Sequence, residues 1–254
     1  MNTENTLVPA AVDYATDPHL SNAVKEFLKP LNSGGAPLES LPVNDARNVL
    51  VGAQAAFEVD YSGIEESEKI ITQNGYTVIL NIVKPEGATG ILPVYMFTHG
   101  GGWVLGDYPT HKRMLRDLTV LTGYAGVFVN YSRAPEVKFP QPVLEVYAVA
   151  EWLSANGAEI GVDGSNLAIV GNSAGGNLAA ATTMMAKEKN GPKFKVQVLF
   201  WPVTNADFYN QSYLQYGKQR FLTSTLMQWM WDQYTTPDQR TDKYAPRYKP
   251  PWMN

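Results

Sequence analysis

One heptapeptide constrains this chain more than any other stretch: Gly171-Asn172-Ser173-Ala174-Gly175-Gly176-Asn177. The run before it, Leu167-Ala168-Ile169-Val170, is apolar and of strand length. The run after it, Leu178 to Lys187, is rich in strong helix formers and closed by Gly191-Pro192. A strand that enters a helix through G-x-S-x-G has the outline of a nucleophile elbow. The turn is so sharp that positions two residues either side of the serine must carry almost no side chain. Gly171 and Gly175 meet that demand, and Gly176 lets the helix lie close to the strand. With glycine near 7% of residues, a chance match arises in roughly one chain in ten of this length, so the flanking pattern carries the weight.

A second glycine cluster sharpens the expectation. Ile91 to Thr98 reads as a central strand and ends in His99-Gly100-Gly101-Gly102-Trp103. Three glycines in a row bring bare backbone N–H groups near a reacting atom, where they can face developing negative charge. An HGGG-type loop is the oxyanion partner of a G-x-S-x-G serine in lipases and esterases. Neither cluster reads G-x-G-x-x-G and no Walker lysine is present, so phosphate or dinucleotide binding is poorly matched.

Composition sets the remaining bounds. The 254 residues, 44% hydrophobic and 17% charged, suit one α/β domain. A net charge of −4 offers no basic surface for nucleic acid or anionic lipid. The absence of cysteine excludes disulfides, a thiolate nucleophile and cysteine metal sites, and no cofactor or metal is expected. Met1 to Asp17 has neither a basic nor an apolar signal region, and no apolar run reaches membrane-spanning length, so a cytoplasmic protein is expected.

Periodicity places the other elements. Leu20, Val24, Phe27 and Leu28 share a helical face that Pro30 and Gly34-Gly35 should end, and a second helix is predicted from Val43 to Phe57. Residues 1–60 thus form a helical cap region, with a role at the site no better supported than plain packing. Glu68–Ile71 and Tyr76–Val83 flank Asn74-Gly75, the signature of a hairpin. Helices are predicted over Thr110–Leu121 and from Pro142 onward, with Val143, Val146, Tyr147, Ala150 and Leu153 on one face. Strands are predicted over Ala125–Tyr131 and Phe194–Trp201, the latter apolar on both faces after its first lysine. Residues 61–203 make the core and 204–254 a cap or lid segment. Residues 200–234 hold ten aromatic side chains where the 11% average would give about four, which suggests an apolar pocket in the lid.

With these motifs in place, the chain resembles the hormone-sensitive-lipase family of α/β-hydrolases, in its bacterial esterase branch. The resemblance runs through His99–Asp107, Asn130–Glu136, Phe139-Pro140, Gly161–Asn166 and the elbow to Asn177, and extends to about Tyr244. It implies the α/β-hydrolase fold: a mostly parallel sheet with helices on both faces, an antiparallel N-terminal hairpin and a helical cap. It also implies Ser173 as nucleophile, the N–H groups of Gly101, Gly102 and Ala174 as oxyanion hole, and His99 with Gly100 as support for the loop. Trp103, Phe208 and Phe221 become candidate pocket residues, and a small-molecule ester the substrate.

The sequence departs from the family in one respect. A hydrolase of this order needs an acid and a histidine after the serine, yet His19, His99 and His111 all precede Ser173. His111 is expected to pack or cap on its helix rather than act as base. Asp207, Asp232, Asp238 and Asp242 lie in lid-like surroundings, and Lys249 to Asn254 cannot form either of the missing strands. Two alternatives stay open: an esterase whose C-terminal part is cut short or supplied by another segment, and a non-catalytic ligand-binding relative, as the gibberellin receptors of this fold are. Without later strands Phe194–Trp201 becomes an edge, so self-association is expected, or cover from another chain or from residues 240–254.

Overall fold

The structure, a computed structural model, describes residues 11–245. Six strands form one mixed sheet in the order β1-β2-β4-β3-β5-β6. β1 (Ile64–Gln73) and β2 (Tyr76–Pro85) make the predicted hairpin, longer than the sequence pattern suggested. Asn74 and Gly75 both take positive φ, 53° and 82°, as a two-residue primed turn requires. β2 runs antiparallel to β4 (Ala125–Asn130), while β3 (Leu92–Thr98), β5 (Val162–Asn172) and β6 (Phe194–Phe200) continue the sheet in parallel.

Helices cover both faces, which is why the central strands are apolar at successive positions rather than alternately. In β3, Val94 and Met96 enter one core and Tyr95 and Phe97 the other. α3 (Tyr108–Thr122) packs over the second core through Leu115. α4 (Gln141–Asn156) and α5 (Ala174–Glu188) pack over the first. α4 is buried well beyond its predicted face, and Glu145 is buried with it. Its carboxylate is satisfied locally, accepting from the amide and hydroxyl of Ser132 and from Gln141 at 2.6–2.8 Å.

Two boundaries and one exposure pattern differ from the sequence reading. α1 (Asn22–Leu31) carries Pro30 inside its last turn rather than stopping before it. β5 starts at Val162, ahead of the apolar run, with a register shift at Leu167/Ala168. β6 is not apolar on both faces: Lys195 and Gln197 share one face and are exposed. It is the outer strand, and its far edge pairs with no strand among the described residues. Of the segment expected to cover that edge, Lys243 and Tyr244 instead reach Glu188 on α5, and Lys249 to Asn254 lie outside the described residues.

Ala46 and several leucines pack the N-terminal region on the core, and an arginine ties it there by hydrogen bonds. Arg47, on α2 (Val43–Ala55), donates to the carbonyls of Val104 and Ala134 at 2.8 and 3.0 Å and to both oxygens of Glu136 at 2.8 Å. A bidentate pair of this kind holds the carboxylate charged, and Glu136 is pulled down to about 2, with the Arg47 hydrogen bonds as the main cause. A depressed carboxylate contributes stability above its unfolded value near 4.3 and loses it as pH falls toward about 2. Glu136 is more than half exposed, so screening trims the contribution. Glu136→Gln should therefore lower Tm at pH 7, and the gap to wild type should close between pH 5 and pH 2. A gap that stays constant with pH would show that the ion pair is not its cause.

Candidate active site

Ser173 caps α5 at the end of β5 with φ 52° and ψ −121°, a conformation that strains any residue with a Cβ. The backbone around it holds it there. Its N–H donates to Phe200 O at 2.9 Å, and its carbonyl accepts from Val203 and Asn177, both at 3.1 Å. Ala174 is the first residue of α5, so its amide has no intrahelical acceptor.

The glycine loop lies beside the elbow. A Cβ on Gly100 would stand 3.1 Å from Ser173 Cβ, so the two backbones touch with no room between them. Gly101 and Gly102 have φ 109° and 61°, and a Cβ on either would collide with the Leu105 carbonyl or the Met230 side chain. Gly101 O accepts from Val104 and Leu105 at 3.1 and 2.8 Å, which closes the turn. Among the described residues neither glycine amide donates to a protein acceptor.

His99 is buried under this loop, stacked on Tyr131 with ring centroids 4.3 Å apart and on Phe128 at 5.2 Å. Its Nδ1 donates to Gly100 O at 2.8 Å, and Tyr131 Oη donates to His99 O at 2.8 Å. Burial, with the neighbouring His111 adding to it, holds His99 well below the usual histidine range. The ring is thus held neutral, with its Nδ1–H committed to the glycine loop.

Two cavities meet at Ser173. One, about 290 Å³, has Ser173, Gly101 and Gly102 among its lining with walls of Leu38, Leu50, Leu226 and Met230, and Phe221 at its side. The other, about 480 Å³, shares Trp201 with the first and adds Asn205, Tyr213 and Arg220. Trp103 and Phe208 line neither cavity. Trp103 is fully buried, stacked on Tyr234 at 4.4 Å and tilted against Trp231 at 4.6 Å, and Phe208 packs edge-on against Tyr213. The enrichment of aromatics in residues 200–234 thus has two sources: Trp231 and Tyr234 of α7 (Ser224–Tyr234) fill the core, while Trp201, Tyr213 and Phe221 reach the cavities.

Sequence patterns did not single out Leu38, Leu50 or Asn172. Leu38 and Leu50 belong to the N-terminal region, and no local signal separates a cavity wall from a packing face. The lid-like aspartates sit elsewhere: Asp207 and Asp242 cap Tyr209 and Tyr244 at 2.9 and 2.8 Å, and Asp232 pairs with Arg240. Asp238 opens a single 3-10 turn, Asp238–Thr241.

A six-stranded mixed sheet flanked by helices, with a strained serine at a strand-to-helix turn beside a glycine loop, defines an α/β-hydrolase. Residues 95–253 match the α/β hydrolase fold family, and the chain belongs to that family. A thermostable esterase from Pseudomonas putida is similar at 47% identity and TM-score 0.88, covering 91% of this chain and 73% of that one. A hyperthermophilic esterase from Pyrobaculum calidifontis is similar at 31% identity and TM-score 0.81, covering 89% and 74%. An α/β hydrolase of Acanthamoeba polyphaga mimivirus is 34% identical over 85% of this chain and 61% of its own length. Carboxylesterase NlhH of Mycobacterium tuberculosis is 36% identical over 55% of this chain and 44% of its own. The chain thus spans less than two thirds of the length of either of these curated relatives.

Proposed function

We propose that this chain carries the nucleophile half of a carboxylic-ester hydrolase that works through an acyl-enzyme on Ser173. The observation that carries the proposal is the serine held at φ 52° beside two positive-φ glycines. A binding-only relative gains nothing from that strain, whereas a nucleophile needs its hydroxyl raised clear of the sheet. The amides of Gly101, Gly102 and Ala174 would receive the carbonyl oxygen as it becomes an oxyanion. The 290 Å³ cavity, walled by leucines and Met230, suits an acyl chain of short to medium length. Relatives described as esterases and carboxylesterases support the reaction class.

The triad acid and base lie outside this arrangement. His99 is buried, His111 is half-buried, both are hydrogen-bonded, and His19 pairs with Asp17 on the N-terminal segment. We propose that both groups come from a further segment, either a continuation of the fold or another chain.

The experiment is covalent labelling. Any labelling by a fluorophosphonate probe, with the adduct mapped by mass spectrometry, is expected at Ser173 and is expected to vanish in Ser173→Ala. An adduct on another serine, or labelling that survives Ser173→Ala, would sink the assignment.

A further inference from the structure

The residue before the nucleophile does more than fill the elbow. Asn172 Oδ1 accepts the Gly100 N–H at 2.9 Å, which ties the glycine loop to the end of β5. Asn172 Nδ2 lies 3.3 Å from His111 Nε2. The backbone N–H of Gly100 can only donate, so the amide oxygen must face it and the amide nitrogen must face His111. That nitrogen is itself only a donor, so His111 Nε2 must offer its lone pair. The proton of the neutral ring then sits on Nδ1, 3.2 Å from Asp107 O and 3.0 Å from Thr110 Oγ1. One backbone donor thus fixes an amide orientation and, through it, a histidine tautomer.

We propose that Asn172 is the positioning residue of the glycine loop, and that neutral His111 holds its amide in the working orientation until protonation of His111 releases it. A proton on Nε2 sets two donors face to face across 3.3 Å. Asn172 must then turn or withdraw, and turning it presents Nδ2 to the Gly100 N–H, which removes the anchor. His111 lines the same cavity as Ser173, so a proton can reach it from the substrate side.

The surroundings of His111 favour the neutral ring. Phe97 of β3 and Phe128 of β4 pack on it. His99 of the glycine loop lies 5.4 Å away between centroids. Arg133, beyond β4, donates to Gly106 O at 2.6 Å and adds positive charge on that side of the loop. Asp107, at the start of its own helix, pulls the other way through its carbonyl and charge. Burial outweighs that pull and lowers His111 below its ordinary value. A histidine buried neutral loses its contribution as pH falls below the unfolded value near 6.5. The anchor therefore holds at neutral pH and gives way on acidification.

The inference rests on Ser173 and the glycine amides being the reacting groups, but its test is independent of turnover. The full chain has three histidines, so long-range ¹H–¹⁵N spectra of histidine-labelled protein can resolve each ring. At pH 7.5 His111 is expected as the Nδ1–H tautomer, and the Gly100 amide is expected to be protected from exchange. Asn172→Asp keeps an oxygen toward Gly100 but replaces the amide donor with an acceptor, so the His111 midpoint should rise by about one unit or more. Asn172→Ala should deprotect Gly100 at least about tenfold, and Asn172→Asp should restore most of that protection. Fluorophosphonate labelling of Ser173 in the wild type should slow below the His111 midpoint. An Nε2–H tautomer in the wild type, an unmoved midpoint in Asn172→Asp, or unchanged Gly100 exchange in Asn172→Ala would each overturn the inference. Labelling that survives Ser173→Ala, with the spectra as expected, would overturn the nucleophile assignment and leave the anchor standing.

Discussion

The 254-residue chain is expected to hydrolyse p-nitrophenyl acetate at least about a thousandfold more slowly than the similar Pseudomonas putida esterase. A neutral serine hydroxyl is a weak nucleophile until a base takes its proton. None of the three imidazoles in the chain is placed to do so. His99 is buried with Nδ1 committed to Gly100 O. His111 has its Nε2 lone pair turned to Asn172. His19 is solvent-exposed on the N-terminal segment, paired with Asp17 at 3.1 Å. Loss of the histidine from a serine triad costs about 10⁶ in kcat, and binding plus the oxyanion hole retain roughly 10³–10⁴ over water. Appending the C-terminal strands of an esterase relative, with their acid and histidine, should restore turnover. The measurement is kcat/KM on p-nitrophenyl acetate for the chain as it stands, with and without those strands. Turnover typical of the family, abolished by Ser173→Ala, would show that a base lies within these residues.

The largest effect on stability is expected at Gly175. A Cβ there would collide with the backbone carbonyls of both Thr98 and His99 at the end of β3. Those atoms belong to the central sheet and cannot swing aside as a side chain could. Thr98 Oγ1 also donates to Gly175 O at 2.7 Å, so the strand end and the first turn of α5 are already in contact. Gly175→Ala should cost about 3 kcal/mol, the upper end for overpacking, and lower Tm by roughly 6–12 °C in a domain of this size. Gly52, inside α2, gives the contrast: a Cβ there meets nothing within 4 Å. Gly52→Ala should stabilise by about 0.5–1 kcal/mol through helix propensity alone. Thermal melts of the two variants decide the matter, and a Gly175→Ala protein melting with the wild type would show that the close approach does not exist.

Local patterns carried much of the architecture because their causes are local. The Asn74-Gly75 turn, the apolar run of β3 and the helix formers after Ser173 each depend on neighbours a few residues away. Strand order was not legible in the sequence, since hydrogen-bond partners such as β2 and β4 lie far apart in the chain. β6 is the edge strand that the missing later strands led one to expect, but its faces were misread as both apolar, because the run of Val, Leu and Phe outweighed Lys195 and Gln197.

The candidate site divides along the same line. Gly101, Gly102 and Ser173 could be named from sequence, because each lies in a short glycine-rich motif at the end of an apolar run, and the resemblance to a known family joined the two motifs. Trp103 and Phe208 could not be told from Phe221, since an aromatic ring at a core position and one at a cavity wall obey the same hydrophobic rule. Only the tertiary structure brought Leu38 and Leu50 to the serine and set Asn172 between Gly100 and His111. Those contacts join segments about 60 to more than 130 residues apart, and burial and hydrogen bonding across such separations leave no periodicity in the chain. The sequence alone determined the chemistry available at the elbow; the packed fold decided which side chains surround it and which histidine is spoken for.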